Sequence, residues 1–419
     1  MKGLERQTAI YLGGVSGRTP RVPPDATKLE ERARRAMPRR AFEYVVAGAG
    51  TGDTLRENRA AFERWRIVPR MLRDVSERDL SIELFGRRLM SPFLLSPIGV
   101  LELAHRDADL AVARAARGEG VPMVISNQAS TPMERIAREL GDAPRWFQLY
   151  WSLEDDVMAS LVERAERCGC EAIVLTVDTT LPGWRARDLD VAYLPFLRGK
   201  GIAQYTSDAA FQRLLDRVSG GEASPTPRPT LAALRTLLAL TRAYPGGFLE
   251  GLRSGRPRQA VQRFAQVYSR PSLNWDDLPL LRERTSLPIL LKGILHPDDA
   301  ARAVEAGMSG IVVSNHGGRQ VDGSIATLDA LPAVADAVAG RVPVLIDSGV
   351  RSGADALKAL ALGADAVCLG RPYVFGLAIA GEDGVREVLQ NFVADFDLTL
   401  ALSGHRSPAE VDRDALVRL

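Results

Sequence analysis

Eight short apolar runs, starting near Phe93, Met123, Trp146, Ile173, Ile289, Ile311, Val344 and Val367, set the frame in which the rest of the chain must fold. Each has the length of a buried strand. Amphipathic stretches at helical spacing lie between most of them, at 108–116, 133–140, 156–168, 299–306, 328–338 and 354–362. Strand and helix in alternation build a parallel sheet, and eight such units close it into a barrel. The predicted fold class is therefore α/β: a (β/α)8, or TIM, barrel over 92–419, preceded by an N-terminal arm and helical segment over 1–91. The fourth connection is far longer than the others and is an insertion, 194–270.

Barrels of this kind keep their chemistry where the strands end. In order, those ends read Ser96-Pro97-Ile98-Gly99, Ser126-Asn127, Gln148-Leu149-Tyr150, Thr176-Val177-Asp178, Lys292-Gly293, Ser314-Asn315-His316-Gly317-Gly318-Arg319-Gln320, Asp347-Ser348-Gly349 and Gly370-Arg371. Each apolar run closes on polar or small residues aimed at one mouth. His316 can move a proton near neutral pH, and Arg319 can grip a carboxylate with two parallel hydrogen bonds. Together they suggest chemistry on a small organic acid, although a loop whose His and Arg merely cap neighbouring elements would read the same way.

Chemistry suggests roles for the other ends. Asp178 could orient His316 and stabilise its charged form. Lys292 would be a fixed positive charge near whatever becomes negative, because a barrel-core lysine needs an acidic partner that the sequence does not show. Ser126, Gln148 and Thr176 suit the polar edge of a heteroaromatic ring. Asp347-Ser348-Gly349-Val350-Arg351 and Gly370-Arg371 follow the seventh and eighth strands, where many barrels bind phosphate. Arg351 and Arg371 could add charge-assisted bonds there or form structural ion pairs. Arg185 could join Arg319 on a carboxylate, with Arg187 as its rival, the latter more simply paired with Asp188 or Asp190. Tyr44 and Tyr150 could donate phenolic hydrogen bonds.

A net charge of +2 gives no basic field and does not suggest nucleic acid. Cys168, Cys170 and Cys368 cannot make a disulfide framework, and no Cys/His pair completes a metal site. The first residues hold no apolar signal core, and no long uncharged apolar run occurs, so a cytoplasmic protein is expected. The first thirty residues, rich in Gly and Pro, read as an extended arm, followed by a helical pattern over 29–46 interrupted near Pro38. Gly48-Ala49-Gly50-Thr51-Gly52-Asp53 imitates a dinucleotide-binding turn, but Asp53 stands where a third glycine should pack and would repel a pyrophosphate.

Taken together, these residues resemble the FMN-dependent 2-hydroxy acid oxidising family, which includes glycolate oxidase, lactate oxidase and lactate monooxygenase. The similarity runs from Tyr44 to Gly404. The Ser314–Gln320 motif is its most specific element, supported by Gln148-Leu149-Tyr150 and Thr176-Val177-Asp178-Thr179. The resemblance implies FMN in the barrel, His316 as base with Asp178 as its partner, and Arg185 and Arg319 on the substrate carboxylate. It implies Tyr44 and Tyr150 on the substrate, Lys292 and the Ser96-Pro97-Ile98-Gly99, Ser126, Gln148, Thr176 and Ser314 ends around the flavin, and Asp347, Ser348, Gly349, Arg351, Gly370 and Arg371 near its phosphate. It further implies a 2-hydroxy acid and O2 as reactants and a homotetramer or larger ring. The wording around Trp184-Arg185 and 193–201, with Gly99 where many family oxidases carry Ala, is similar to the lactate 2-monooxygenase subgroup.

The insertion carries 12 Lys and Arg against 4 Asp and Glu, and 224–229 reads as a linker-like break within it. It is a solvated basic surface, a lid that attracts anionic substrate, a subunit contact, or the kind of connection by which some family members dock on membranes; the apolar-rich helical stretch 231–244 is too short to span a bilayer. A barrel that binds FMN or an organic acid without turnover, or an FMN-dependent isomerase, would share many of these features.

Overall fold

The computed structural model describes residues 3–217 and 230–419. Eight parallel strands close into a barrel in sequence order: β1 Phe93–Leu95, β2 Met123–Ile125, β3 Arg145–Leu149, β4 Ile173–Thr176, β5 Ile289–Ile294, β6 Gly310–Val313, β7 Val344–Ile346 and β8 Ala366–Leu369, with β8 pairing back to β1. Each strand lies on one of the eight apolar runs. The helices Ala108–Glu119, Met133–Leu140, Asp155–Arg167, Pro297–Glu305, Thr327–Val338 and Gly353–Ala361 occupy the amphipathic stretches between them.

Alternate residues of a strand face opposite ways, and this places the site. Leu94, Val124, Trp146, Val174, Leu290, Val312, Leu345 and Cys368 form one buried cluster inside the barrel. Their neighbours in sequence, such as Phe93, Leu95, Ile125 and Phe147, belong to the larger core beneath the helices. Two residues beyond each member of the inner cluster, on the same inward face, come Ser96, Ser126, Gln148, Thr176, Lys292, Ser314, Asp347 and Gly370. The barrel is thus apolar at one level and polar at the next. A hairpin of Ile82–Leu84 and Arg87–Leu89 adds Leu84 and Leu89 to the inner cluster, and Phe85 meets Trp146 edge-on at 5.6 Å. That end is plugged, so the polar layer opens only at the carboxyl mouth.

The N-terminal region departs from the expectation of an extended arm. Gly3–Val15 is a helix that packs on the C-terminal helical segment Arg371–Leu402, which is kinked at Ala380 and Gly381; the Gly3 N–H donates to Asp397 Oδ2 (2.6 Å) and Arg6 Nε to Asn391 Oδ1 (3.0 Å). Gly13 and Gly14 are held inside its last turn, and Gly17, with a left-handed φ of 73°, turns the chain while the Arg18 N–H returns to the Gly13 carbonyl at 3.0 Å. The break at Pro38 is as expected and separates the helices Ala26–Ala36 and Arg39–Val46. The false dinucleotide turn has another task. Asp322, from the loop after β6, accepts N–H bonds from Thr51 (2.6 Å) and Asp53 (2.7 Å) and a hydroxyl bond from Thr51 Oγ1 (2.9 Å), capping the helix Asp53–Glu63 from outside. Asp322→Ala should cost about 0.5–2 kcal/mol, as loss of a helix cap does, and urea unfolding measures it.

Of the insertion, the helices Ala203–Thr206, Ala209–Arg217, Leu231–Ala243, Phe248–Ser254 and Arg256–Val267 are described, while the expected linker at 224–229 lies outside the described residues. The segment at its start and the last of these helices bring apolar side chains back to the barrel mouth. Among the described residues no helix is long and apolar enough to cross a membrane.

Candidate active site

A cavity of about 330 Å³ sits at the carboxyl mouth and collects Tyr44, Ser96, Pro97, Ile98, Gly99, Tyr150, Arg185, Lys292, His316, Arg319, Asp347, Ser348, Gly349, Arg351, Gly370 and Arg371. Asp178, Ser126, Gln148, Thr176 and Ser314 stand directly behind its wall, where they bond to one another or to residues that line it. The barrel therefore assembles side chains drawn from all eight strand ends and from the helix Arg39–Val46.

The loop after β6 is shaped by three consecutive left-handed residues, His316, Gly317 and Gly318 (φ 58°, 67° and 73°). Gly318 must be glycine on two counts: that φ, and a Cβ there would come within 2.8 Å of the Leu55 nitrogen. The non-glycine residue in this conformation is His316 itself, a strained placement of the sort found at functional sites. Its Nδ1 lies 2.8 Å from Asp178 Oδ1, and Thr179 Oγ1 donates to the same carboxylate oxygen at 2.8 Å. With Asp178 accepting, Nδ1 carries the proton and Nε2 is left as the basic nitrogen. Burial pulls the His316 pKa below its ordinary value and outweighs the opposing pull of Asp178. Burial raises Asp178, but His316, Lys292 and the Thr179 hydroxyl outweigh it and hold the carboxyl at about 2. At neutral pH the pair is thus a neutral imidazole on a carboxylate.

Lys292 has the acidic partner that the sequence by itself does not show. Its Nζ lies 3.2 Å from Asp347 Oδ2 and donates to Ser314 Oγ at 2.7 Å. Burial lowers its pKa, but Asp347 and then Asp178 raise it further, so it is held as ammonium. Asp347 consequently faces the barrel interior at Lys292 rather than an incoming anion. Ser126 Oγ donates to Gln148 Oε1 and Gln148 Nε2 to Thr176 Oγ1, both at 3.0 Å, a continuous polar rail beneath the cavity.

The arginines divide into two groups. Arg319 donates through Nη1 to the Tyr44 and Ala47 carbonyls (2.7 and 2.8 Å) and lies 4.9 Å from the Tyr44 ring centroid. Arg185 reaches Gln320 Oε1 (3.2 Å) beside it. Burial and then the repulsion of Arg185 pull Arg319 down to about 10. Tyr150 is buried nearby, and burial pushes its phenol up, so it remains a hydrogen-bond donor. Arg187 turns away, pairing with Glu43 (3.4 Å) rather than with Asp188 or Asp190. Across the cavity, Arg371 donates to the Val45, Gly317 and Ala47 carbonyls, and Arg351 to its neighbour Val350. Neither has a carboxylate ion pair among the described residues, which sets aside the structural ion-pair reading. Burial, then repulsion from Arg319 and Arg351, lowers Arg371 to about 9, and burial followed by repulsion from Arg59 lowers Arg351 to about 10. Arg351 and Arg371, both partly buried and without a carboxylate ion pair among the described residues, stand beside the Gly349 and Gly370 backbone, a setting that would suit an anion.

Sequence reasoning overlooked three residues here. Thr179 braces Asp178; Gln320 donates to the Asp178 and Leu181 carbonyls (2.8 and 3.0 Å) while accepting from Arg185; and Tyr268 lines the cavity from the end of the insertion. Thr179 and Gln320 adjoin predicted residues, so adjacency was a usable signal. No local pattern marks Tyr268.

A base held on a carboxylate, two arginines beside it and two more without a carboxylate ion pair across the cavity suit an oxidoreductase-type barrel that takes a flat, anionic cofactor and a small acid. The chain belongs to the FMN-dependent dehydrogenase family, whose model matches residues 33–418, and its cofactor is FMN. It is 41% identical over 398 residues to a Lysinibacillus sphaericus protein named L-lactate oxidase, covering 95% of this chain and 93% of that one. It is 39% identical over 391 residues to human 2-hydroxyacid oxidase 1, covering 93% and 95%. A crystal structure of mandelate oxidase superposes with a TM-score of 0.75 at 36% identity, over 95% of this chain and 98% of that one.

The residues present fit FMN on a feature of this structure alone. Ser96 Oγ is buried against the cavity with no hydrogen-bond partner, and the Arg351 and Arg371 guanidiniums, which lack a carboxylate ion pair among the described residues, line the same cavity. Ring and phosphate would satisfy both.

Proposed function

We propose that this chain oxidises L-2-hydroxy acids, lactate among them, with FMN and oxygen, and that the 2-oxo acid is held and oxidatively decarboxylated by the hydrogen peroxide formed with it before either leaves, the outcome of a lactate 2-monooxygenase. The observation that carries the oxidation is the 2.8 Å contact of His316 with Asp178 inside a cavity shared with Arg185, Arg319 and Tyr150. Arg185 and the remaining N–H groups of Arg319 bind the substrate carboxylate, and the Tyr44 and Tyr150 hydroxyls orient it. His316 Nε2 then takes one proton of the HO–C–H unit, and Asp178 stabilises the imidazolium that results. FMN, when bound, accepts the two electrons and passes them to oxygen. Gly349, Arg351, Gly370 and Arg371 would hold its phosphate, and Ser96, Ser126, Gln148, Thr176 and Lys292 would hold its ring. The ammonium of Lys292 would offset the negative charge that the reduced cofactor carries.

Retention of the oxo acid is supported by the insertion, which we take to act as a roof: Leu194, Phe196 and Leu197 line the cavity above the β1 end. A Cβ on Gly99 would approach Gln128 Cβ at 2.9 Å and its carbonyl oxygen at 3.0 Å, so Gly99 sets how closely Gln128 packs against the β1 end. Release of the 2-oxo acid with hydrogen peroxide, as in an oxidase, is the second reading. It is favoured by the relatives named L-lactate oxidase and by the exposure of Leu194 and Leu197 at the mouth. The product balance in air without catalase separates them. Acetate, carbon dioxide and water, with one acetate per lactate, is the expected result; free pyruvate with equimolar hydrogen peroxide would make the protein an oxidase.

A further inference from the structure

The insertion is strongly basic in composition, yet what it shows the cavity is apolar. From it, Leu194, Phe196, Leu197, Val261, Phe264 and Ala265 line the site, joined by Tyr268; none of its described Lys, Arg, Asp or Glu side chains does so. This wall is preformed. The Phe264 ring packs on Phe196 (5.4 Å), Tyr205 (4.9 Å) and Tyr268 (5.2 Å), and both Phe264 and Tyr205 are fully buried. Its position follows from the barrel. A Cβ placed on Gly201 would touch Val100, the Gln128 carbonyl and Phe196 at once, so Phe196 stands beside the β1 and β2 ends. In a closed ring of eight strands, β2 lies opposite β6, whose loop carries His316 and Arg319. The cavity is therefore cationic on one side and aromatic and aliphatic on the other.

A substrate held by its carboxylate at Arg319 and Arg185 directs its remaining substituent away from them. From this, and resting on the FMN-dependent oxidation proposed above, we infer that the preferred substrate is an L-2-hydroxy acid with an apolar substituent larger than the methyl of lactate, branched aliphatic or aromatic, seated against Phe196, Leu197 and Ala265. Lactate is turned over but leaves most of the apolar wall in contact with water. Each added methylene that reaches such a wall improves selectivity by about fourfold or more.

The test is kcat/KM for the holoenzyme across L-lactate, L-2-hydroxybutyrate, L-2-hydroxyisocaproate, L-3-phenyllactate and L-malate, together with anaerobic bleaching by each. The expected series rises from lactate by roughly tenfold or more to the isocaproate or phenyllactate analogue, and malate is poor. A series that is flat, falls with size or favours malate overturns this inference while bleaching by lactate keeps the oxidation intact. Bleaching by none overturns both. Ala265 is exposed at the rim, so Ala265→Trp narrows the wall without touching the folded core. It should lower the phenyllactate-to-lactate ratio of kcat/KM at least about fivefold, and an unchanged ratio would place the substituent elsewhere.

Discussion

Replacing His316 with alanine should slow anaerobic flavin reduction by roughly 10²–10⁴-fold, the range typical for loss of a positioned base, while the protein stays yellow. The separation is expected because the contacts His316 makes run to Asp178, Thr179 and Ser314, whereas the guanidiniums assigned to the phosphate belong to Arg351 and Arg371. Stopped-flow reduction at saturating substrate reads the rate, and the absorbance of the desalted protein reads retained FMN. In the unsubstituted protein the pH profile has a defined sign. Only neutral His316 accepts a proton, and burial pulls its pKa below 6.5. The rate should thus be level through neutral pH and fall as pH drops through that lowered value. A profile that instead rises toward acid, or near-normal reduction in the alanine variant, would remove His316 from the role.

Lys292→Met should be the most destabilising single change at the site, at about 3–5 kcal/mol, because it strands a buried carboxylate. Asp347 is buried, and Lys292 is its cation at 3.2 Å. Reading Lys292 only as a charge for the flavin would predict slow reduction with normal stability. The structure predicts both defects, and they can be told apart. Lys292→Met with Asp347→Asn should recover much of the stability, since a neutral amide no longer demands a cation, while flavin reduction stays slow. Denaturant unfolding of the single and double variants measures the first effect and stopped-flow the second. A Lys292→Met protein as stable as the parent would show that Asp347 does not depend on this ion pair.

Much of the architecture is written locally. The eight continuous apolar runs and the helical spacing between them were enough to declare a closed barrel. Because barrel chemistry sits where strands end, Ser126, Gln148, Thr176, Lys292 and Ser314 were legible without coordinates as polar residues that close those runs. The same local grammar misjudged Gly3–Val15, where helix formation depends on packing against Arg371–Leu402, a partner distant in sequence.

What the tertiary structure alone decided were the pairings between elements. Lys292 meets Asp347 because β5 and β7 flank β6 in the ring; Asp322 caps a helix from the N-terminal region; Arg187 finds Glu43 rather than a neighbouring aspartate; and Gly99 faces Gln128. Spacing along one strand or helix determines which face a residue occupies, but not what stands opposite it. That depends on how the barrel closes and on where a long connection lands, and the apolar wall that the basic insertion presents to the site is the clearest instance.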